Sequence, residues 1–147
     1  MPTLHYAVRI AATPDVVWDR MLSLESYQAW TSAFAEGSTY EGSWEAGAQI
    51  RFLAPDGSGV IAEIAESRPP EWLSIRHLGM LENGVEDFDS AAVRAWAPAY
   101  ENYALRRDGH ETELSIDVDT TPESVAMMND SWPKGLAKLK ELCEGRP

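Results

Sequence analysis

A long amphipathic helix is predicted for residues 121–144, TPESVAMMNDSWPKGLAKLKELCE. Its start is marked by Thr121 at a capping position and by Pro122, which suits the first helical position because no N–H is needed there. Apolar residues then recur at intervals of three and four, a spacing that predicts one apolar face. These residues are Met128, Trp132, Leu136, Leu139 and Cys143. Such a helix needs a surface to cover, and the rest of the chain is expected to supply it.

Pro133 lies inside this segment and has no N–H to donate to the carbonyl of Asn129. The sequence therefore predicts either a kink at Pro133 or a helix that begins near Asp130 after a looser first turn. Both alternatives keep the apolar face on one side of the helix.

Length and composition predict a single domain spanning residues 1–147, with 44% apolar residues and one core. The one cysteine, Cys143, cannot form an internal disulfide, and its place on the apolar helix face predicts a small core residue rather than a nucleophile. The sequence shows neither a secretory signal pattern nor a run of about 18 apolar residues. We therefore expect a cytoplasmic protein without membrane insertion.

The formal net charge is −12, from 24 acidic and 12 basic residues. Such a charge disfavours nucleic acid and anionic lipid as partners, whereas a protein partner at the acidic surface stays open. His5, His77 and His110 are far apart and lack the spacing of a zinc site, so we expect no metal and no cofactor. The chain is expected to be a monomer.

The first 120 residues are predicted to form mainly antiparallel strands joined by tight turns. Residues 4–10 alternate between apolar and polar side chains, as in a half-buried strand, and two short helices are expected in the next 20 residues. Further strands are expected at Gln49–Leu53, 59–66, 72–78, 100–106 and Glu111–Asp119, with a brief strand between Gly37 and Gly47. This order predicts an α+β fold in which the long C-terminal helix covers a sheet of six or seven strands.

Residues 79–99 form an unusually long link between two predicted strands. The link is acidic, with Glu82, Glu86, Asp87 and Asp89, and a helical turn is expected at residues 90–96. Links of this length are commonly lids or binding loops. We therefore predict that this segment forms the entrance or lid of a binding site.

Several stretches carry a family resemblance that runs through almost the whole chain. They are ATPDVVW at 12–18, Tyr27 with Trp30, GSW at 42–44 with Gly47, RPPE at 68–71, ETEL at 111–114, and residues 129–139. Together they resemble the START/Bet v-like (SRPBCC) superfamily, and within it the branch named after the activator of heat-shock protein 90 ATPase. The acidic insert at residues 82–89 departs from the plainest members.

The resemblance implies a helix-grip fold, in which a curved antiparallel sheet wraps around the terminal helix. It also implies a cavity between sheet and helix that binds hydrophobic or amphipathic small molecules. The superfamily includes lipid and hormone carriers, polyketide cyclases and chaperone co-factors, so this fold does not by itself select a function.

Seven side chains are the candidate ligand-binding residues because they are large and lie on elements expected to face the cavity. They are Trp44, Phe52, His77, Trp96, Tyr103, Met128 and Trp132. Aromatic side chains fill cores as well as pockets, so core packing is the alternative for each of them. His77 is expected to face the helix, where a histidine can orient a ligand oxygen, act as a general base or simply form structural hydrogen bonds.

Three functions follow from these observations, and we favour the first. It is the binding of a small hydrophobic or amphipathic ligand, lipid-like or polyketide-like and aromatic. The second is an enzyme of cyclase, hydrolase or isomerase type that uses His77 with a nearby carboxylate or Tyr103. The third is a protein-interaction module of chaperone-regulator type. Since the sequence contains no nucleophile paired with a base and no carboxylate pair at a defined spacing, we predict no catalytic residue.

Overall fold

The computed structural model describes residues 2–145 and shows a sheet of eight strands with helices packed on one face. The elements up to the middle of the chain are β1 (Thr3–Ile10), α1 (Pro14–Leu22), α2 (Leu24–Thr31), β2 (Thr39–Gly42), β3 (Gln49–Leu53) and β4 (Gly59–Arg68). The remaining elements are β5 (Trp72–Glu82), β6 (Val85–Asp87), α3 (Ala91–Trp96), β7 (Ala99–Asp108), β8 (Glu111–Asp119) and α4 (Val125–Cys143). The α+β prediction is confirmed.

The strands are antiparallel throughout and follow the order β1-β8-β7-β5-β4-β3-β2, with β6 paired to the end of β5. Two register shifts interrupt the pairing of β4 with β5. Irregularities of this kind bend a strand and increase its twist. The sheet therefore has the curved form that a helix-grip fold requires.

The predicted count of six or seven strands was wrong because the link at residues 79–99 contains a further hairpin. Strand β5 continues to Glu82, and a two-residue turn at Asn83 and Gly84 leads into β6. Both turn residues have positive φ, 53° and 77°, as a type I′ turn requires. The Asn-Gly pair is itself a strong hairpin signal, which the sequence reading overlooked. The helical turn expected at residues 90–96 is present as α3.

Helix α4 carries its apolar face into the core, as predicted. Trp132, Leu136, Leu139 and Cys143 are buried there, and Met128 is half-buried against the same cluster. Burial raises the pKa of the Cys143 thiol to about 12, so at neutral pH the side chain is the uncharged core residue that was expected. The helix contacts α1, α2 and β1.

The beginning of α4 differs from one of the two predicted alternatives, the helix that begins near Asp130. A 3₁₀ turn at Pro122–Ser124 gives the expected looser start, but the α-helix begins at Val125 rather than near Asp130 and continues through Pro133. A kink at Pro133 stays a prediction.

Leu139 tests the packing of α4 because its side chain is fully buried in the core cluster. We predict that Leu139→Ala lowers the free energy of unfolding by about 2–5 kcal/mol, the usual cost of lost apolar contacts plus a cavity. Urea denaturation measures this loss. The exposed neighbour supplies the control, since Lys138→Ala should change the stability by less than about 0.5 kcal/mol. Equal effects of the two substitutions would contradict the described orientation of the helix.

Candidate functional site

A cavity of about 290 Å³ lies between the inner face of the sheet, α2 and α4. Its wall is mainly apolar and includes seven aromatic residues, and the cavity is partly open to solvent. The aromatic residues in the wall are Tyr27, Trp30, Phe34, Phe52, Trp96, Tyr103 and Trp132. The volume is at the small end of the range that ligand pockets occupy. The cavity therefore lies where the resemblance implied a binding site.

Six of the seven candidate residues line this cavity, and the seventh lies behind its wall. The six are Phe52, His77, Trp96, Tyr103, Met128 and Trp132. Trp44 instead packs edge-on against Tyr40, with ring centroids 4.9 Å apart, and borders a separate void of about 10 Å³. It also contacts the ring of Phe52 at 5.8 Å. A ligand-binding role for any of the seven stays a prediction.

Helix α3 places Trp96 in the cavity wall. The helix starts at Ser90, whose hydroxyl oxygen accepts the N–H of Val93 at 3.3 Å. Hydrogen bonds from Ser90 and from the backbone of Asp89 hold the pKa of Asp87 below its usual value and join the cap to the preceding strand. The Trp96 ring then stacks on His77 with centroids 5.5 Å apart. The segment predicted to be a lid thus provides one wall of the cavity, and movement as a lid stays a prediction.

A polar cluster of His77, Glu101 and Tyr103 interrupts the aromatic wall. Nε2 of His77 is 3.2 Å from Oε1 of Glu101, and the Tyr103 hydroxyl donates a hydrogen bond to Oε2 of the same carboxylate. The strand register explains this grouping. His77 is opposite Ala99 in the pairing of β5 with β7, so Glu101 is two residues along on the same inner face.

Burial determines the protonation of the tyrosine in this cluster. Desolvation, reinforced by the negative charge of Glu101, raises the pKa of Tyr103 well above its usual value. The hydroxyl therefore keeps its proton at neutral pH and acts as the donor in its hydrogen bond with Glu101. Tyr27, in the same cavity wall, also has a raised pKa because its hydroxyl is buried.

Two polar atoms of cavity-lining side chains are buried and have no hydrogen-bond partner among residues 2–145. They are Nδ1 of His77 and Nε1 of Trp132, in side chains of residues that are only 7% and 3% exposed. Buried polar atoms in folded proteins nearly always have a partner. Each of these two atoms is therefore a candidate contact for a polar group of a bound molecule.

Sequence reading missed Glu101, although a signal for it was present. On β7, Glu101 is two residues before Tyr103, so strand alternation places both side chains on the same face. Buried glutamate is rare in proteins, so strand alternation alone does not single it out as a site residue. Tyr27 and Trp30 of α2 also line the cavity but are not among the seven candidate residues.

Within residues 2–145, no group of three or more His, Cys, Asp or Glu side chains is arranged to hold a metal ion. No helix in the same part of the chain is long and apolar enough to cross a membrane.

No family model matches the chain, and no curated protein matches it in sequence. Solved structures do match its fold. The Aha1 dimer from Colwellia psychrerythraea has 16% identity and a TM-score of 0.75, with 100% of both chains covered. Protein MLL2253 from Mesorhizobium loti has 16% identity and a TM-score of 0.74, with 99% of each chain covered.

A third similar structure is DynU16, described as a protein in the dynemicin biosynthetic locus. It has 18% identity and a TM-score of 0.71, and the match covers 97% of this chain but only 47% of DynU16. The chain thus spans about half the length of that protein. Likenesses at these identities show a common fold.

Because the hydroxyl of Tyr103 is buried, we predict that the stabilities of the unsubstituted protein and of Tyr103→Phe depend differently on pH above pH 10. An unfolded tyrosine ionises near pH 10, whereas the folded hydroxyl keeps its proton, so the stability it contributes is complete below pH 10 and is lost as the pH rises towards the folded pKa. Between about pH 10 and 11, the stability of Tyr103→Phe should fall less steeply than that of the unsubstituted protein. The slopes should differ by at most about 1.4 kcal/mol per pH unit, the value for one proton. Urea denaturation at a series of pH values measures both slopes, and parallel profiles would contradict the buried hydroxyl.

Proposed function

We propose that this chain, which has the helix-grip fold of the START/Bet v-like (SRPBCC) superfamily, binds a small hydrophobic or amphipathic molecule in the cavity between the sheet, α2 and α4. The observation that carries the proposal is an aromatic cavity with a buried polar cluster in its wall. Protein interiors normally pack to the density of organic crystals, so an unfilled space of about 290 Å³ is more than packing for stability requires. Apolar walls with a few converging polar groups are typical of small-molecule sites.

The similar structures support this proposal at the level of the fold. One of them is described as a protein in a biosynthetic locus, which is compatible with a small-molecule role. A fold supports many functions, so the evidence for binding in this chain comes from its own cavity.

Ligand binding is tested by titrating the labelled protein with a panel of fatty acids, sterols and aromatic polyketides. We expect amide and side-chain chemical-shift changes to cluster at Phe52, His77 and Trp132. Val60 lines the cavity, so Val60→Trp should fill part of it and weaken binding of the best ligand at least tenfold, or about 1.4 kcal/mol.

The matched control is the same substitution on an exposed strand position outside the cavity wall, Val85→Trp. This variant should bind with unchanged affinity. No shift changes with any panel member, or equal losses in both tryptophan variants, would contradict binding in this cavity.

A second candidate function is an enzyme of cyclase, hydrolase or isomerase type that uses the same cavity. The observation that favours it is the pairing of His77 with Glu101, because a carboxylate that orients an imidazole is a common arrangement for general-base catalysis. Nε2 is occupied by Glu101, so Nδ1 would exchange the proton with a substrate.

If His77 is a general base, His77→Gln should lower the turnover of any panel compound that is converted by about 100-fold or more, since proton transfer contributes that much to the rate. Mass spectrometry of the reaction mixture measures turnover, and the titration above measures affinity separately. Unchanged turnover in His77→Gln would remove this candidate. If compounds bind and none is converted, ligand binding without catalysis is the remaining function.

The remaining expectations about partners and location stay predictions. The Aha1 structure is described as a dimer, so self-association is the alternative to the expected monomer, and light scattering on the purified protein distinguishes them. A protein partner at the acidic surface and a cytoplasmic location are likewise predictions, based on the net charge of −12 and on the sequence pattern.

A further inference from the structure

We propose that Nδ1 of His77 is the hydrogen-bond acceptor that selects the ligand, and that the ligand is a compact aromatic or enolic compound whose hydroxyl donates to it. The inference rests on the proposed binding function of the cavity. It goes further by specifying the chemical class of the ligand and the residue that recognises it.

The hydrogen bonds of Glu101 fix the position of the proton on His77. A carboxylate can only accept, and its Oε2 already accepts from the Tyr103 hydroxyl. Its other oxygen, Oε1, faces Nε2 of His77 at 3.2 Å. The single proton of the neutral imidazole is therefore on Nε2, which leaves a lone pair on Nδ1.

Nothing in the described protein donates to that lone pair. Nδ1 is buried and unpartnered, and the imidazole ring is packed by two aromatic rings, Trp96 at 5.5 Å and Phe52 at 5.8 Å. Aromatic faces cannot supply a conventional N–H or O–H donor to Nδ1. Nδ1 has almost no exposed surface, so a ligand hydroxyl in the cavity reaches it only when the Trp96 or Phe52 ring shifts. The hydrogen bond then removes the penalty of an unsatisfied buried acceptor.

Charge in the cavity wall excludes one large class of amphipathic ligands. The acidic residues in the cavity wall are Glu101 and Asp119, and no lysine or arginine of residues 2–145 is among the lining residues. A fatty-acid carboxylate would be desolvated there without a cation to pair with. A neutral hydroxyl carries no such cost.

The size and shape of the cavity favour a small flat molecule. A cavity of about 290 Å³ is at the small end of ligand pockets, which suits one or two fused rings better than a sterol or a long acyl chain. Aromatic walls also favour a ring, through offset stacking and edge contacts. Trp132 Nε1 provides a donor for a carbonyl or ether oxygen on the same molecule.

The first experiment compares 2-naphthol with 2-methoxynaphthalene, which has the same ring system but cannot donate a hydrogen bond. Isothermal calorimetry should show 2-naphthol binding at least tenfold more tightly, and it should show weaker binding of 2-naphthoate and palmitate than of 2-naphthol. In His77→Phe the affinities for the two neutral compounds should lie within about threefold of each other, mainly because 2-naphthol binds more weakly. The control His110→Phe, at an exposed histidine in the turn between β7 and β8, should keep the wild-type preference.

The second experiment observes the tautomer directly through the ¹⁵N chemical shifts of the His77 ring. The unsubstituted protein should show Nε2–H and a bare Nδ1. In Glu101→Gln the amide oxygen can accept from Tyr103 while its N–H₂ donates to Nε2, so the imidazole proton should move to Nδ1. The preference for naphthol over its methyl ether should then be lost. A purely structural role of His77 would not make ligand preference follow the tautomer.

The outcomes separate this inference from the proposed function. If other panel compounds bind in the cavity but naphthol has no preference over methoxynaphthalene, the inference fails and the binding function stands. An Nδ1–H tautomer or an imidazolium in the ligand-free protein at neutral pH would also overturn the inference. If no compound binds at all, the binding function itself fails.

Discussion

The rest of the structure depends on the packing of the Trp132 side chain between helix α4, the sheet and α2. Its ring stacks on Tyr6 of β1 at 5.7 Å and meets Phe34, just after α2, edge-on at 5.0 Å. It also contacts Trp30 of α2 and Tyr103 of β7. One side chain of α4 thus joins two strands of the sheet, β1 and β7, to α2 and the residues just after it. A hydrogen bond from the Tyr6 hydroxyl to Asn129, at 2.7 Å, sets the position of the helix along β1. Because large rigid rings meet here at different angles, from stacked to edge-on, they leave space between helix and sheet, and the cavity occupies that space.

The spacing of apolar residues predicted which faces of the helices and strands are buried. It could not predict how side chains from different elements pack against one another. The spacing of Trp132, Leu136 and Leu139 fixed the buried face of α4, and alternation along β5 and β7 placed His77 and Tyr103 on the inner face. The overlooked hairpin at Asn83 had a local signal that a closer reading would have used. The position of Trp44 behind Phe52, by contrast, depends on rotamers and on the curvature of the sheet, which no pattern encodes. The volume of the cavity depends on the same quantities.

Glu101 shows why the polar cluster is unlike ordinary core packing. A carboxylate that is 81% buried loses most of its hydration, and the hydrogen bonds from Tyr103 and His77 offset that loss only in part. An apolar residue at this position would pack between the same strands without any such cost. Stability alone therefore does not account for Glu101. Its effect is to hold the imidazole of His77 in one orientation and one tautomer, which matters only if another molecule uses the free nitrogen.

The fold alone does not determine the polarity of the cavity wall. Proteins as different as an Aha1 dimer and a protein of a biosynthetic locus share the helix-grip architecture, so the architecture sets the place of a site and leaves its chemistry open. In this chain the cavity wall combines aromatic rings, the carboxylates of Glu101 and Asp119, and His77. Nε2 of His77 is paired with Glu101. Such a wall repels anions and offers one buried acceptor. If the cavity binds ligands as proposed, this wall discriminates between them by their ability to donate a hydrogen bond, which shape alone does not do.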